Sequence, residues 1–273
     1  MNAAMRSTFL RAARRITAAV APKLYRRISF YRNEGRLVRI AAKLVNRYGA
    51  NVLNGPFKGM RYVQTSVRSV FSPKLVGSYE AELHPFIERV TSGSYDVVID
   101  IGCAEGYYAV GFLFRMKTAR CVAFDSESQA RTLCREMAEL NCVSDRIQVR
   151  GCCDAEALSA VLLGRVFILA DCEGAELDLL DPVVISRLRD CDALVELHDF
   201  IRPGLTLALQ TRFAATHEIQ IIEQQVRDSA QYPELGILTR FDRHMAVQEF
   251  RPGRMQWAML TAKAPRMLAP NLE

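Results

Sequence analysis

No stretch of about 18 apolar residues occurs in this chain, the length a membrane-spanning helix needs. The longest apolar run, VVIDIGCAEGYYAVGFLF, is interrupted by Asp100 and Glu105 and reads as a buried strand, a turn and a helix. Eight cysteines are present, yet none forms a C-x-x-C pair, which removes support for a zinc ribbon or a thioredoxin-type site. No secretory leader is visible, so free thiols of a reducing cytosol are expected. The dinucleotide fingerprint G-x-G-x-x-G is missing, as are internal repeats and low-complexity tracts. Residues 1–33 contain no acid at all.

What is there is ordinary globular material: 273 residues, 50% hydrophobic and 24% charged, enough for one large α/β domain and a small appendage. The charge is uneven. Arg6, Arg11, Arg14, Arg15, Lys23, Arg26, Arg27 and Arg32 fall in the first 33 residues, and these eight exceed the formal net charge of +6. The other 240 residues therefore carry −2, so basicity belongs to the N-terminus and not to the body. Residues 6–20 and 23–49 read as helices separated by Pro22, with Leu24, Ile28, Leu37, Ile40, Ala41 and Val45 at helical spacing in the second. Three readings stay open for residues 1–50: a helical cap, a contact to an anionic membrane or nucleic acid, and a targeting presequence. The expected location is the cytoplasm, with a peripheral membrane contact as one use of the basic segment.

The remainder divides into 51–92, a hairpin over 51–65 and a helix over 80–91 leading into the core, and a main domain over 93–265. In that domain short apolar runs alternate with helical segments. The strands are predicted at 95–101, 119–125, 146–151, 166–171 and 193–198, with helices to about 116 and over 127–140, 154–163, 174–190 and 204–214. Such alternation builds a parallel sheet covered on both faces. Two last strands, 217–225 and 256–263, separated by an irregular stretch, are expected to close its edge in antiparallel fashion.

Chemistry gathers at strand ends. The first strand runs into Asp100-Ile101-Gly102-Cys103-Ala104-Glu105-Gly106, a D-x-G-x-x-x-G turn at the place where open α/β sheets bind ligands. Its glycines permit a sharp turn and close approach. Asp100 and Glu105 set negative charge there, unsuited to a pyrophosphate and suited to a cationic ligand. Asp125 ends the second strand, where a carboxylate accepts ribose hydroxyls, although an N-cap role is the plainer reading for it alone. Tyr79, Glu80 and Glu82 read as an acceptor-side lid or a solvated face. Arg251-Pro252-Gly253-Arg254 reads as a loop, and Trp257, the single tryptophan, as packing in the last strand.

VVIDIGCAEGYYAVG, VAFD and ILADCEGAELDLLDP together resemble class I S-adenosylmethionine-dependent methyltransferases, and the D-x-E-G-x-E of Asp171, Glu173, Gly174 and Glu176 resembles their FkbM-like branch. The resemblance covers about residues 95–225. It implies a Rossmann-like methyltransferase fold: a mostly parallel seven-stranded sheet with an antiparallel C-terminal strand, preceded here by the helical extension. It further implies S-adenosylmethionine as cofactor. Asp100, Gly102, Cys103, Ala104, Glu105 and Gly106 would meet the methionyl part, Asp125 the ribose, and Cys153 with Asp154 the adenine. Asp171 would stand between cofactor and acceptor, with Glu196 and His198 facing the same crevice. His198 is the expected general base, with Asp171 or Glu173 orienting it, and a structural histidine is the competing reading. Glu176 reads as a first-turn helix carboxylate. No metal ligand is assigned, although magnesium on Asp171, Glu173 and Asp199 is an alternative.

The expected reaction is methyl transfer to oxygen of a small-molecule or sugar-like acceptor. An RNA methyltransferase using the basic N-terminus and a non-catalytic interaction module are the alternatives. The sequence carries no signal for oligomeric state.

Overall fold

The computed structural model describes residues 22–263 except 252 and 254, and for residues 22–32 the helical backbone alone. The predicted helix at 6–20 lies outside the described residues. Helix α1 runs Pro22–Tyr48. Leu37, Ile40, Ala41 and Leu44 are buried from it, the i, i+3, i+4, i+7 spacing that gives one apolar stripe. That stripe packs on α2 (Phe71–Val76) and on α9 (Arg240–Ala246), where Arg36 pairs with Asp242 at 3.0 Å. Among the described residues no helix is long and apolar enough to cross a membrane.

The hairpin expected over 51–65 reduces to one antiparallel bridge, Asn51 to Arg61. Val52 and Met60 exchange one bond of 2.9 Å, and then Pro56, which has no N–H, and the turn around it end the ladder. Helix α3 (His84–Thr91) follows a three-residue 3₁₀ turn at Ala81–Leu83, close to the predicted span.

Seven strands form one sheet in the order β3-β2-β1-β4-β5-β7-β6. They are β1 Val97–Ile101, β2 Arg120–Phe124, β3 Ile147–Arg150, β4 Val166–Ala170, β5 Asp192–Leu197, β6 His217–Glu223 and β7 Gln256–Ala262. β1 through β5 pair in parallel, and β7 enters antiparallel between β5 and β6. This is the Rossmann-like arrangement expected from the sequence. β4 and β5 are buried at every residue, as central strands covered on both faces must be, whereas the edge strand β6 alternates buried and exposed.

Side chains leave each strand with period two. Val98, Ala123, Phe167 and Trp257 join the core under α1, α2, α4 (Tyr107–Arg115) and α5 (Ser128–Leu140). Ile99, Phe124, Ile168 and Ala258 join the core under α6 (Ala155–Ser159), α7 (Glu176–Leu179) and α8 (Leu205–Phe213). Two helical predictions were too long: α6 stops at Ser159, and the segment to 190 is broken near Pro182 into α7 and a 3₁₀ turn at Ser186–Asp190. The stretch before β7, expected to be irregular, contains α9. Thr239 caps it by accepting the Asp242 N–H at 3.2 Å, a T-x-x-D signal in the sequence.

Candidate active site

The carboxyl ends of β1, β2, β4 and β5 open into one crevice of about 460 Å³, within the size range of small-molecule sites. Its wall includes Asp100, Gly102, Cys103, Ala104, Asp125, Cys153, Asp171, Glu173, Glu196 and His198. The sequence-predicted residues from four strand ends thus meet at one place.

Asp100 is 1% exposed, and neither of its carboxylate oxygens finds a hydrogen-bond partner of good geometry. Burial pushes its carboxyl up to about 8, and the Ala109 amide offsets only part of this. Gly102 sits at φ +90°, and a Cβ there would collide with the backbone oxygen of Asp171. The close approach that demands glycine is therefore to the chain's own β4 loop. Asp125 receives the Ala104 N–H at 2.9 Å on one oxygen and the Glu127 N–H at 2.8 Å on the other. It ties the β1 loop to the start of α5 and borders the crevice at once.

Three expected cofactor contacts are corrected. Glu105 does not reach the crevice wall: fully buried, it takes Lys74 Nζ at 2.5 Å, Tyr62 Oη at 2.5 Å, Ser66 Oγ at 2.8 Å and the Val67 N–H at 2.9 Å. Burial pushes its pKa up, but Lys74 and these donors outweigh it and hold the carboxylate below its ordinary range. Its charge is cancelled and contributes nothing to a cationic ligand. Gly106 is the left-handed cap of α4, and a Cβ there would crowd Cys134 Sγ at 2.9 Å, so it serves the packing of α4 on α5. Asp154 caps α6 by accepting the Ala157 N–H at 2.8 Å, leaving Cys152 and Cys153 to line the wall beyond β3.

Across the crevice lies His198, 2% exposed. Its Nδ1 is 2.6 Å from Glu176 Oε1, and that same oxygen takes the Gly174 N–H at 3.2 Å. Glu176 opens α7 as the expected first-turn carboxylate, but it is completely buried and also fixes the imidazole ring. The D-x-E-G-x-E spacing now has a physical account. Glu173 and Gly174 take left-handed backbone angles, which turn Asp171 and Glu173 toward the crevice and Glu176 back under it. Nε2 of His198 faces Asp171 Oδ1 at 3.5 Å, Glu173 Oε2 at 3.8 Å and Glu196 Oε2 at 3.8 Å. Burial lowers the His198 pKa, but the Glu176 bond and the surrounding carboxylates outweigh it and raise the result. Burial pushes Asp171 up, although a hydrogen bond from Glu196 works against it; burial and the neighbouring Asp171 carboxylate together push Glu196 well up, so the pair holds a proton on Glu196. Asp199 is not part of this group; its carboxylate binds the Thr206 N–H and hydroxyl at the start of α8, so the magnesium set Asp171, Glu173 and Asp199 is not brought together.

Sequence reasoning missed one part of the wall. Tyr79, Glu80 and Glu82 are buried, which overturns the solvated face, and Tyr79 lines the crevice. Arg251 pairs with Glu80, with Glu249 at 3.2 Å and with Glu196 Oε1 at 3.0 Å, and its guanidinium covers the Tyr79 ring. Arg227 joins Glu82 at 2.6 Å to Glu249 at 2.7 Å behind it. The turn before β7 is therefore a wall of the crevice. The sequence held a usable signal: a last strand antiparallel to β5 brings the residues just before it to the carboxyl end of β5. The register does this, with Leu197 opposite Gln256. Phe200, whose ring centre lies 5.6 Å from that of His198, and Phe250 and Met255 add apolar wall to the crevice.

No protein-family model matches this chain, and no curated protein matches it in sequence. Among solved structures it is similar to a human methyltransferase 10 domain containing protein, at 12% identity over 85% of this chain and 98% of that one, with a TM-score of 0.48. It is also similar to a putative O-methyltransferase from Klebsiella pneumoniae, at 10% identity over 86% of this chain and 96% of that one, with a TM-score of 0.46. An O-methyltransferase from Bacillus cereus in complex with SAH shares 13% identity over 64% of this chain and 78% of that one, with a TM-score of 0.43. None of these likenesses gives a residue of this chain its role, and the fold assignment rests on the strand order itself.

Proposed function

We propose that this chain is an S-adenosylmethionine-dependent methyltransferase of the FkbM-like branch, acting on oxygen of a small-molecule acceptor. The observation that carries the reading is the crevice itself. At one end stand an orphaned buried carboxylate, Asp100, and the Asp125 carboxylate at the end of β2; at the other stands the His198 cluster with Phe200 beside it. A cofactor with an ammonium and a sulfonium satisfies Asp100, which a diphosphate does not. Asp125 keeps lone pairs for ribose hydroxyls beyond the two N–H groups it already accepts. Cys152 and Cys153 offer the wall for a purine.

The cofactor, when bound, supplies an activated methyl group with a neutral leaving group. The residues of this chain then have two tasks, to align the acceptor and to manage its proton. Phe200, Phe250 and Met255 give the acceptor an apolar seat, and Asp171, Glu173, Glu196 and His198 surround the place where its oxygen would lie.

Calorimetry with S-adenosylmethionine and with its demethylated product tests the reading. Both are expected to saturate one site per chain, and Asp125→Ala is expected to weaken each by about tenfold, the worth of a lost charge-assisted hydrogen bond. Methyl-labelled cofactor incubated with a panel of hydroxylated small molecules is expected to transfer label to an oxygen acceptor. Absence of saturable binding by either compound discards the activity, and transfer only to RNA moves it to the RNA reading.

A further inference from the structure

We propose that Asp171, Glu196 and His198 form a three-ligand site for a divalent transition-metal ion. One atom from each, Asp171 Oδ1, Glu196 Oε2 and His198 Nε2, converge, and the ligand atoms of the three residues lie within 4.8 Å of one another. The ligand distances around such ions are about 2.0–2.2 Å, so tetrahedrally placed ligands sit roughly 3.4 Å apart. The separations of 3.5 and 3.8 Å from Nε2 to the two carboxylate oxygens match that geometry. They are too long for good hydrogen bonds.

Within the cluster the Asp171 and Glu196 carboxyls bond each other, an arrangement in which a bound cation would replace the shared proton. Asp171 Oδ1 is buried and finds no donor outside the cluster. His198 and Glu196 are 2% and 1% exposed, so neither opens these atoms broadly to water. Each has its far side anchored. Glu176 holds His198 Nδ1 at 2.6 Å, the carboxylate–histidine arrangement that orients a metal-binding imidazole and makes its other nitrogen a better donor. Arg251 holds Glu196 Oε1 at 3.0 Å and leaves Oε2 to the cluster. Charge points the same way. Asp171, Glu173, Glu176 and Glu196 surround one imidazole, and Arg251, which pairs with Glu196, is divided among Glu80, Glu196 and Glu249.

One imidazole nitrogen with two carboxylate oxygens suits manganese, iron, cobalt or zinc better than magnesium, which prefers an all-oxygen shell. Three protein ligands leave positions open on the crevice side, the mark of a catalytic rather than a structural site. Binding of the ion is independent of the proposed activity. Its use rests on that activity: an ion here would hold the acceptor oxygen and lower its proton affinity, and His198 would be a ligand, not the base that takes the proton.

The full chain, stripped with chelator, is titrated with manganese(II) chloride and followed by calorimetry and electron paramagnetic resonance. One equivalent is expected to bind, with nitrogen coupling from an imidazole in the spin-echo modulation, zinc displacing it, and magnesium at least a hundredfold weaker. Asp171→Asn and His198→Ala are each expected to lower manganese affinity at least a hundredfold, and Glu176→Gln about tenfold or more. Circular dichroism and a cooperative melt establish folding of each variant. Should His198→Ala fail to fold, Asp171→Asn and the nitrogen coupling decide the matter. No saturable manganese or zinc binding overturns the site, and so does binding that lacks nitrogen coupling or that Asp171→Asn leaves unchanged. Because cofactor binding is measured separately, loss of either proposal leaves the other standing.

Discussion

Lys74→Met is expected to destabilise the protein by about 3–5 kcal/mol, read as a lower urea midpoint at unchanged slope. Lys74 and Glu105 are 3% and 0% exposed, and Nζ lies 2.5 Å from the carboxylate. Removing the ammonium leaves a carboxylate in the core with only the Tyr62 and Ser66 hydroxyls and the Val67 N–H to hold its charge. That uncompensated charge, not the worth of the pair, sets the size of the effect. The double variant Lys74→Met with Glu105→Gln is accordingly expected to recover most of the loss. If it proves no more stable than the single variant, the charge account is wrong and Lys74 matters through packing on Tyr79 and Tyr107. The pair also fixes a wall, since Ser66 and Val67 hang from Glu105 and lead into Arg68 and Ser69 beside the crevice. Cofactor affinity is expected to fall in the single variant. The sign with pH follows from the depressed Glu105 pKa. Its stabilisation is full above the unfolded value near 4.3 and is lost as pH falls through the lower folded value.

The strands were legible because each is a β-branched or apolar run of strand length between helix-length segments, and VFILA and VVIDI admit few other readings. The strand ends were legible for the same reason, which placed Asp100, Asp125, Asp171 and His198 in one crevice before any geometry was known. What sequence could not supply was which way a side chain turns in a loop. Glu105 and Asp154 lie beside strand ends yet point away, and the Gly106 turn is spent on helix packing, because positive backbone angles at Ala104 and Gly106 and the cap geometry at Asp154 decide this. Long-range charge pairing was equally hidden. Arg251 reaches Glu80 across 171 positions, and nothing local in either segment marks the other. Glu176 does stand in the first turn of α7, as the local rule has it, but that rule says nothing of its burial or its partner. Only the position of β5 alongside reveals the histidine above it.

Asp100→Asn is expected to raise the stability of the ligand-free protein at pH 9 while weakening cofactor binding by tenfold or more. The wild-type carboxyl sits in the folded chain at about 8, against an ordinary value of 3.8. Below about pH 4 the group is protonated in both states and costs nothing. As pH rises from there toward 8, the unfolded chain ionises and the folded chain keeps its proton, so stability falls throughout that window and is level above it. A shift of this size sets a ceiling of about 6 kcal/mol, and local relaxation and water entry leave a few kcal/mol of it. Asparagine has the same shape and no charge, so its urea stability is expected to be nearly flat where the wild type slopes. Binding runs the other way. A ligand with an ammonium or sulfonium beside Asp100 favours the carboxylate, so at pH 7 association is expected to release a proton, visible as a dependence of the calorimetric heat on the buffer's ionisation enthalpy. In Asp100→Asn that buffer dependence is expected to vanish together with the affinity. An asparagine variant with wild-type affinity would remove Asp100 from the cofactor site, whereas one that loses affinity without gaining stability would mean the carboxylate is well solvated before the ligand arrives.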